Sequence, residues 1–87
     1  MSSYRVELKP SARRELEHLP DQVIARVFRR LEDLESRPRP PGCKKLKGGH
    51  SEWRIRVGDY RVVFTIDDGK RLVEVTRIRH RSEVYEP

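Results

Sequence analysis

The spacing of hydrophobic residues near the N-terminus predicts a short β-strand followed by a helix. Apolar residues first alternate with charged ones, which is typical of a strand with one buried face. They then recur at i, i+4 and i+7, which places them on one face of a helix. The alternating residues are Tyr4, Val6 and Leu8, and the helical ones are Ala12, Leu16 and Leu19. We expect the helix to begin at Pro10-Ser11.

A second helix is predicted after Pro20-Asp21, which interrupts the first. Aspartate favours the N-cap position, so we expect Asp21 to cap this helix. The apolar stripe that follows consists of Val23, Ile24, Val27, Phe28, Leu31 and Leu34. The helix must end by Arg37-Pro38, because the residue before a proline resists helical geometry. The two helices together form an antiparallel helical hairpin.

The rest of the chain alternates between loop and strand patterns. The stretch from Pro38 to Gly49 is rich in proline, glycine and lysine, and we interpret it as a basic loop. Alternating segments then predict three strands, at Trp53 to Val57, Tyr60 to Ile66, and Leu72 to about Ile78. Tight turns at Gly58-Asp59 and at 67–70 separate them.

These elements predict a single domain over residues 1–87 with an α+β fold. Their order is β-α-α-β-β-β. We expect a small antiparallel sheet that includes the N-terminal strand, with the helical hairpin packed on one face. No internal repeat or low-complexity segment indicates a second domain.

The turn at Gly58-Asp59 fixes which residues of the predicted β-hairpin lie opposite each other. With this two-residue loop, Ile55 faces Val62 on an apolar side, and so do the pairs Val57–Tyr60 and Trp53–Phe64. The other side then places Arg56 opposite Arg61, with Arg54 beside Val63. Like charges opposite each other destabilise a sheet, so this grouping predicts a phosphate-binding surface. The alternative is a solvated face with dispersed charge that protects an edge strand.

The distribution of charge supports an anionic partner. Lysine and arginine number 20 against 14 acidic residues, which gives a formal net charge of +6. The helical region is balanced, whereas Lys44 to Arg61 and Lys70 to Arg81 each carry +4 (6 − 2 and 5 − 1). A basic C-terminal half favours a polyanionic partner, although such charge also keeps a small protein in solution.

Several classes of protein are excluded by what the chain lacks. No apolar run approaches the roughly 18–20 residues of a membrane span. The N-terminus carries no signal-peptide pattern, so we expect a cytoplasmic protein. The single Cys43 excludes an internal disulfide and fits a reducing compartment. The three histidines are far apart, which argues against a structural zinc site.

The C-terminal segment adds further candidates for the site. Alternation continued from Val73 and Val75 would place Arg77 and Arg79 on the core face. Buried arginines are implausible there, so we expect a bulge or the end of the strand near Arg77. The alternation does not fix where Arg79, His80 or Tyr85 points.

The motifs of the C-terminal half resemble those of a known toxin family. They are K-L-K-G at 45–48, W-R-I-R at 53–56, G-D-Y-R-V-V-F at 58–64 and H-R-S-E-V-Y at 80–85. Together they resemble the RelE toxins of the RelE/ParE superfamily of type II toxin–antitoxin systems. The resemblance runs almost end to end. It implies a ribosome-dependent mRNA endonuclease that cuts A-site codons, and a RelB-like antitoxin as partner.

The resemblance also assigns roles to individual residues. It implies Arg61, Arg79 and Tyr85 as catalytic groups, and Arg54, Arg56 and Arg81 as phosphate-binding groups. Separately, the charge of the basic loop makes Lys44, Lys45 and Lys47 candidates for contacts with mRNA or ribosomal RNA. The implied chemistry is metal-free and needs no cofactor: the ribose 2′-OH attacks the adjacent phosphate, and cations stabilise the phosphorane.

One departure from the family changes these roles. Family members often carry lysine where this chain has Arg54 and Arg56. Lysine can serve as a base when its pKa falls, whereas arginine stays protonated. Arg54 and Arg56 are therefore confined to electrostatics. Proton transfer falls to Tyr85, with His80 as the alternative because histidine titrates near neutral pH.

Two other functions remain open at this point. The first is a ParE-like toxin that inhibits DNA gyrase without nuclease activity; such toxins generally lack the basic site that ends in tyrosine. The second is a non-catalytic RNA-binding module. Such a module needs exposed aromatic residues for base stacking, whereas Trp53 and Phe64 lie on the predicted apolar face.

Overall fold

The computed structural model describes residues 3–46 and 52–81. The elements in these ranges are β1 (Arg5–Leu8), α1 (Pro10–Glu17), α2 (Asp21–Ser36), β2 (Lys44–Lys45), β3 (Glu52–Val57), β4 (Tyr60–Asp67) and β5 (Leu72–His80). The predicted α+β class, the helical hairpin and the three C-terminal strands are confirmed. The predicted basic loop contains one additional element, β2, which pairs with β3.

The five strands form one sheet in the order β1-β5-β4-β3-β2. The pairs β2–β3, β3–β4 and β4–β5 are antiparallel, whereas β1 pairs with β5 in parallel. The prediction of a wholly antiparallel sheet is therefore wrong at this edge. Alternation shows which side chains are buried but carries no information on strand direction. The helical hairpin supplies the long crossover that a parallel pair requires.

The helices cover one face of the sheet and bury its core there. The fully buried residues include Leu34, Ile55, Phe64 and Ile78. The stripe on α2 is buried at Val27, Leu31 and Leu34, while Phe28 stays 48% exposed. Asp21 is the first residue of α2 rather than its N-cap, which is Pro20. Its carboxylate still lies in the first turn, where its negative charge interacts favourably with the helix dipole.

A β-bulge in β5 moves its arginines away from the core. Val63 pairs with Arg77 and Phe64 with Val75, so Thr76 is an extra residue between them. The Thr76 hydroxyl donates to the Val63 carbonyl at 3.2 Å. The alternation of β5 is thereby shifted, as the sequence predicted near Arg77. Val75 and Ile78 are buried, and the arginines after the bulge face away from the helices.

A cluster of polar groups joins three segments at the start of β5. Asp68 accepts a hydrogen bond of 2.6 Å from the Tyr4 hydroxyl and two from Arg39, at 3.2 and 2.8 Å. The Arg39 guanidinium also lies 5.1 Å from the centre of the Trp53 ring. Hydrogen bonds from Arg39 and Tyr4 lower the Asp68 pKa to about 2. We call Tyr4, Arg39 and Asp68 the clasp.

In the part of the chain that the structure describes, no helix is both long and apolar enough to span a membrane.

Candidate functional site

The sheet surface that faces away from the helices carries five of the ten predicted site residues, namely Lys44, Arg54, Arg56, Arg61 and Arg79. Strand pairing places Arg61 between Arg56 on β3 and Arg79 on β5, so the three form a row across the sheet. The adjacent row consists of Lys44 on β2, Arg54 on β3, Val63 on β4 and Arg77 on β5. Opposed side chains in antiparallel strands begin about 4.5–5.5 Å apart. We call these two rows the arginine face.

The charges on this surface are segregated by sign. The next row along the strands holds Glu52, Thr65 and Glu74, and β1 continues it with Glu7. Basic and acidic residues thus occupy separate rows of β2 to β5, and Arg5 lies beside Glu7 at the β1 edge. A solvated face with dispersed charge would mix the two signs. The observed arrangement instead favours an anion bound over the arginine face.

Arg54 illustrates the electrostatic state of the arginine face. Burial lowers the pKa of its guanidinium, and the charges of Arg61 and Arg56 lower it further. Arginine nonetheless remains protonated in proteins. Loss of a proton therefore does not relieve the mutual repulsion of these side chains, whereas binding of an anion would.

Backbone carbonyls near the hairpin turn orient two of the arginines. Arg56 Nε donates to the Gly58 carbonyl at 3.3 Å, and Arg61 Nη1 donates to the Tyr60 carbonyl at 3.4 Å. The turn itself depends on Gly58, whose φ of +59° lies in a region that glycine adopts without strain. Carbonyl oxygens are uncharged, so these contacts orient the guanidinium groups without neutralising them.

A carboxylate from α1 holds the arginines of β5. Glu15 Oε2 accepts hydrogen bonds from Arg77 Nη2 at 3.0 Å and Arg79 Nε at 3.1 Å, and Oε1 accepts one from the Ile78 backbone N–H at 2.8 Å. Sequence reasoning missed Glu15. Its position next to Leu16 in the hydrophobic pattern indicates only that it belongs to a helix. Nothing in that pattern links it to Arg77, 62 residues away.

His80 is not on the arginine face. It pairs with Tyr60, which pairs with Val57 on the helix-covered side. The His80 and Tyr60 rings meet edge to face, with centroids 5.3 Å apart. The sheet separates this imidazole from the row that contains Arg61, so the geometry does not support His80 as the alternative proton-transfer group.

The remaining predicted residues fall in different places. Arg81 lies beside the hairpin turn, where its backbone N–H donates to the Asp59 carbonyl at 2.7 Å. Lys45 pairs with Trp53 and so points to the opposite side from Lys44. Lys47 and Tyr85 lie outside the described residues. Within 3–46 and 52–81, no group of His, Cys, Asp and Glu side chains could hold a metal ion.

Comparison with known families identifies the class of protein. The family model described as the ParE toxin of the type II toxin–antitoxin system, parDE, matches residues 6–85. The chain is 40% identical to Toxin RelE of Mycobacterium tuberculosis over 86 residues, which cover 94% of this chain and 86% of the relative. It is 31% identical to Toxin RelG of the same organism, over 94% of this chain and 95% of the relative.

Solved structures agree with this assignment. The fold matches a chain of the RelBE2 toxin–antitoxin complex from M. tuberculosis with a TM-score of 0.82 and 32% identity, covering 95% of this chain and 97% of that one. It matches the archaeal RelE–RelB complex from Pyrococcus horikoshii equally well, at a TM-score of 0.82 and 27% identity over 93% and 98% of the two chains. A helical hairpin packed on a small mixed sheet is thus a fold that this chain shares with toxins of these complexes. The chain belongs to the RelE/ParE family of type II toxin–antitoxin toxins.

Proposed function

We propose that this toxin is a ribosome-dependent mRNA endonuclease that cuts codons in the ribosomal A site and so inhibits translation. The observation that carries the proposal is the arginine face, on which three strands each supply an arginine to one row on the side away from the helices. An RNA phosphodiester is the anion that this chemistry suits, because guanidinium groups bind phosphate in a two-pronged manner. The name RelE of the 40% identical relative supports the same class of activity.

The arginine row suits stabilisation of charge in the transition state. Attack by the ribose 2′-OH on the neighbouring phosphate creates a phosphorane with additional negative charge, and expulsion of the 5′-oxygen leaves a 2′,3′-cyclic phosphate. Arg61 has an arginine on each side and is assigned to the phosphorane, together with Arg79. Cations fixed before the reaction stabilise such charge without reorganising. Arg56, Arg54 and Arg81 are assigned to binding of the flanking phosphates.

Proton transfer is assigned to Tyr85 on the strength of the family resemblance. A phenol can donate or accept a proton, and cations bound beside a phenol favour loss of its proton. Tyr85→Phe removes only the hydroxyl and is therefore expected to abolish cleavage without altering the fold. No metal ion or cofactor takes part in the proposed reaction.

The substrate-bearing ribosome and an antitoxin are the proposed partners. Lys44 shares a row with Arg54, which extends the basic surface onto β2, and Lys45 and Lys47 are near it in the sequence. These lysines are assigned to contacts with mRNA and ribosomal RNA, which give affinity without sequence selectivity. Relatives were solved in complexes with RelB. We therefore assign a RelB-like antitoxin to this chain, and a cytoplasmic location follows from the ribosomal substrate.

The test is to map mRNA ends by primer extension after incubation with programmed ribosomes, with ribosome-free mRNA as control. We expect cuts within the A-site codon only when ribosomes are present. Because the matching family model is named for ParE, DNA supercoiling by gyrase is measured in parallel. Inhibited supercoiling without mRNA cuts would replace the proposal with gyrase inhibition. Binding to RNA with neither effect would leave a non-catalytic module.

A further inference from the structure

We infer that Glu15 is a positioning residue for RNA cleavage, because its carboxylate holds the Arg79 guanidinium in the row that contains Arg61. The inference rests on the proposed function and adds to it a residue of α1, on the covered side of the domain. Arg79 lies directly opposite Arg61 in the β4–β5 pairing. Its orientation therefore decides whether two guanidinium groups can converge on one phosphate.

The Glu15 carboxylate is fixed at the outer edge of β5. Pairing between β1 and β5 ends at Leu8 and Val75, and α1 crosses the edge beyond that point. Two hydrogen bonds attach the start of this helix to β5: the Lys9 N–H donates to the Val75 carbonyl at 2.9 Å, and the Ser11 hydroxyl donates to the Thr76 carbonyl at 2.8 Å. One helical turn later, Glu15 reaches the next part of the same edge.

The contact with Ile78 fixes the carboxylate relative to the strand. Glu15 Oε1 accepts the Ile78 backbone N–H at 2.8 Å, and the Ile78 side chain is 2% exposed in the core. A buried side chain and a carboxylate thus hold the same backbone unit. Glu15 Oε2 then accepts hydrogen bonds from Arg77 and Arg79, the residues on either side of Ile78. Long arginine side chains with many rotamers are thereby held in one arrangement.

The ion pair orients Arg79 without cancelling the positive charge. Two guanidinium groups and one carboxylate leave a net charge of +1 (2 − 1). Arg79 contacts Glu15 through Nε, and its terminal Nη groups make no hydrogen bond within 3–46 and 52–81. Those groups are the pair that binds phosphate oxygens. Glu15 therefore holds the Arg79 guanidinium in place and leaves its Nη groups available for phosphate.

A purely structural role for Glu15 makes a different prediction. If the carboxylate only caps the strand edge, its loss lowers stability and leaves the cleavage rate per folded molecule unchanged. If it positions Arg79, its loss lowers the rate at saturation. Binding is then unchanged or tighter, because a negative charge near the RNA has been removed.

The experiment compares single-turnover cleavage on programmed ribosomes by wild type, Glu15→Gln, Glu15→Asp and the control Glu17→Gln. Glutamine keeps an acceptor for the Ile78 N–H and loses the charge, whereas aspartate keeps the charge on a shorter side chain. Glu17 is an exposed residue of the same helix, so its variant matches the change in charge. Rates are expressed per folded molecule, with the folded fraction taken from circular dichroism.

We expect both Glu15 variants to lose about tenfold in saturating rate, with half-saturation no weaker than wild type, because the lost interaction acts in the transition state. The Glu17 variant should match wild type. Adding Glu15→Gln to Arg79→Ala should cause no further loss, because a residue that acts through Arg79 has no effect in its absence.

Three results would overturn the inference. One is a wild-type rate in both Glu15 variants, and another is a loss confined to half-saturation. The third is an additional loss from Glu15→Gln in the Arg79→Ala background. Each of these leaves the proposed function intact, because wild type still cleaves. Absence of cleavage by wild type would instead refute the proposed function, and the inference with it.

Discussion

The two ends of β5 each place a carboxylate against arginine, but with different consequences. At the start of the strand, Asp68 binds Arg39, which also stacks on Trp53. At the end, Glu15 binds both Arg77 and Arg79. The first network pairs one cation with one anion and joins loops. The second leaves excess positive charge beside Arg61.

The difference shows that the role of an arginine–carboxylate ion pair depends on the groups that surround it. In the clasp, Asp68 accepts hydrogen bonds from both Tyr4 and Arg39, and the single guanidinium also lies over the Trp53 ring. On the arginine face, the neighbours of Arg79 across the sheet are further arginines. Like charges gathered at one place are unfavourable unless an anion completes the site. We therefore associate stability with the clasp and the proposed RNA cleavage with the other end of β5.

The largest expected contrast is between Arg79→Ala and Arg39→Ala in cleavage. Arg79→Ala should lower the single-turnover rate by about a hundredfold, the usual cost of removing one fixed group that stabilises transition-state charge. Arg39→Ala removes an arginine that also binds a carboxylate, but one away from the arginine face. Its rate per folded molecule should stay within about threefold of wild type. Equal losses in both variants would refute the assigned division of roles.

Salt dependence gives a second, smaller contrast. Binding of single-stranded RNA weakens with salt in proportion to the number of phosphates that the protein neutralises. Arg54→Ala should reduce the slope of log K against log salt by about 0.7, the value for one phosphate contact on a single strand. Arg39→Ala should leave the slope unchanged. Fluorescence anisotropy with a labelled oligonucleotide between low and moderate salt measures both slopes. An unchanged slope in Arg54→Ala would remove this residue from the phosphate-binding set.

For the free energy of unfolding, we expect the reverse order: a variant of the clasp should lose more stability than a variant of the arginine face. Arg39→Ala removes the contact with the Trp53 ring, which at an exposed site contributes about 0.5–1 kcal/mol. Arg61→Ala should leave the free energy of unfolding unchanged or raise it, because repulsion with Arg56 and Arg79 is relieved. Urea denaturation of the two variants measures this difference. A large loss of stability in Arg61→Ala alone would mean that the arginine face is structural.

The clasp also predicts the smallest effect, a dependence of stability on pH. The Asp68 pKa falls from 3.8 to about 2 in the folded protein, so its contribution is present above pH 3.8 and is lost as pH falls toward 2. The hydrogen bond to Asp68 raises the Tyr4 pKa above 10.0, so that contribution is lost at higher pH. The difference in melting temperature between wild type and Asp68→Asn should be present at pH 7 and should vanish near pH 2. A constant difference would contradict the assignment.

The hairpin and the bulge show where sequence alone suffices. A two-residue turn and a period of two determine every pair in β3–β4, so the opposition of Arg56 and Arg61 follows from the position of Gly58-Asp59. The bulge follows from the cost of burying arginine, which excluded simple alternation beyond Val75. Local geometry and one energetic rule were enough for both features.

The direction of β1, the position of His80 and the role of Glu15 depend on the folded chain. Alternation in Tyr4, Val6 and Leu8 is the same in parallel and antiparallel strands. The bulge reverses which side the following residues face, and only its position places His80 on the helix side. Glu15 reaches Arg79 because α1 crosses an edge that β1 leaves unpaired. These features arise from contacts between segments distant in the sequence.

The most direct test of the arginine face is the single-turnover rate of A-site mRNA cleavage by wild type, Arg61→Ala and Arg13→Ala on the same programmed ribosomes. Arg13 is an exposed arginine of α1 and matches the loss of charge without touching the face. We expect Arg61→Ala to cut at least about a hundredfold more slowly than wild type, with an unchanged circular dichroism spectrum and with Arg13→Ala close to wild type. Cleavage by Arg61→Ala at the rate of Arg13→Ala would contradict the account.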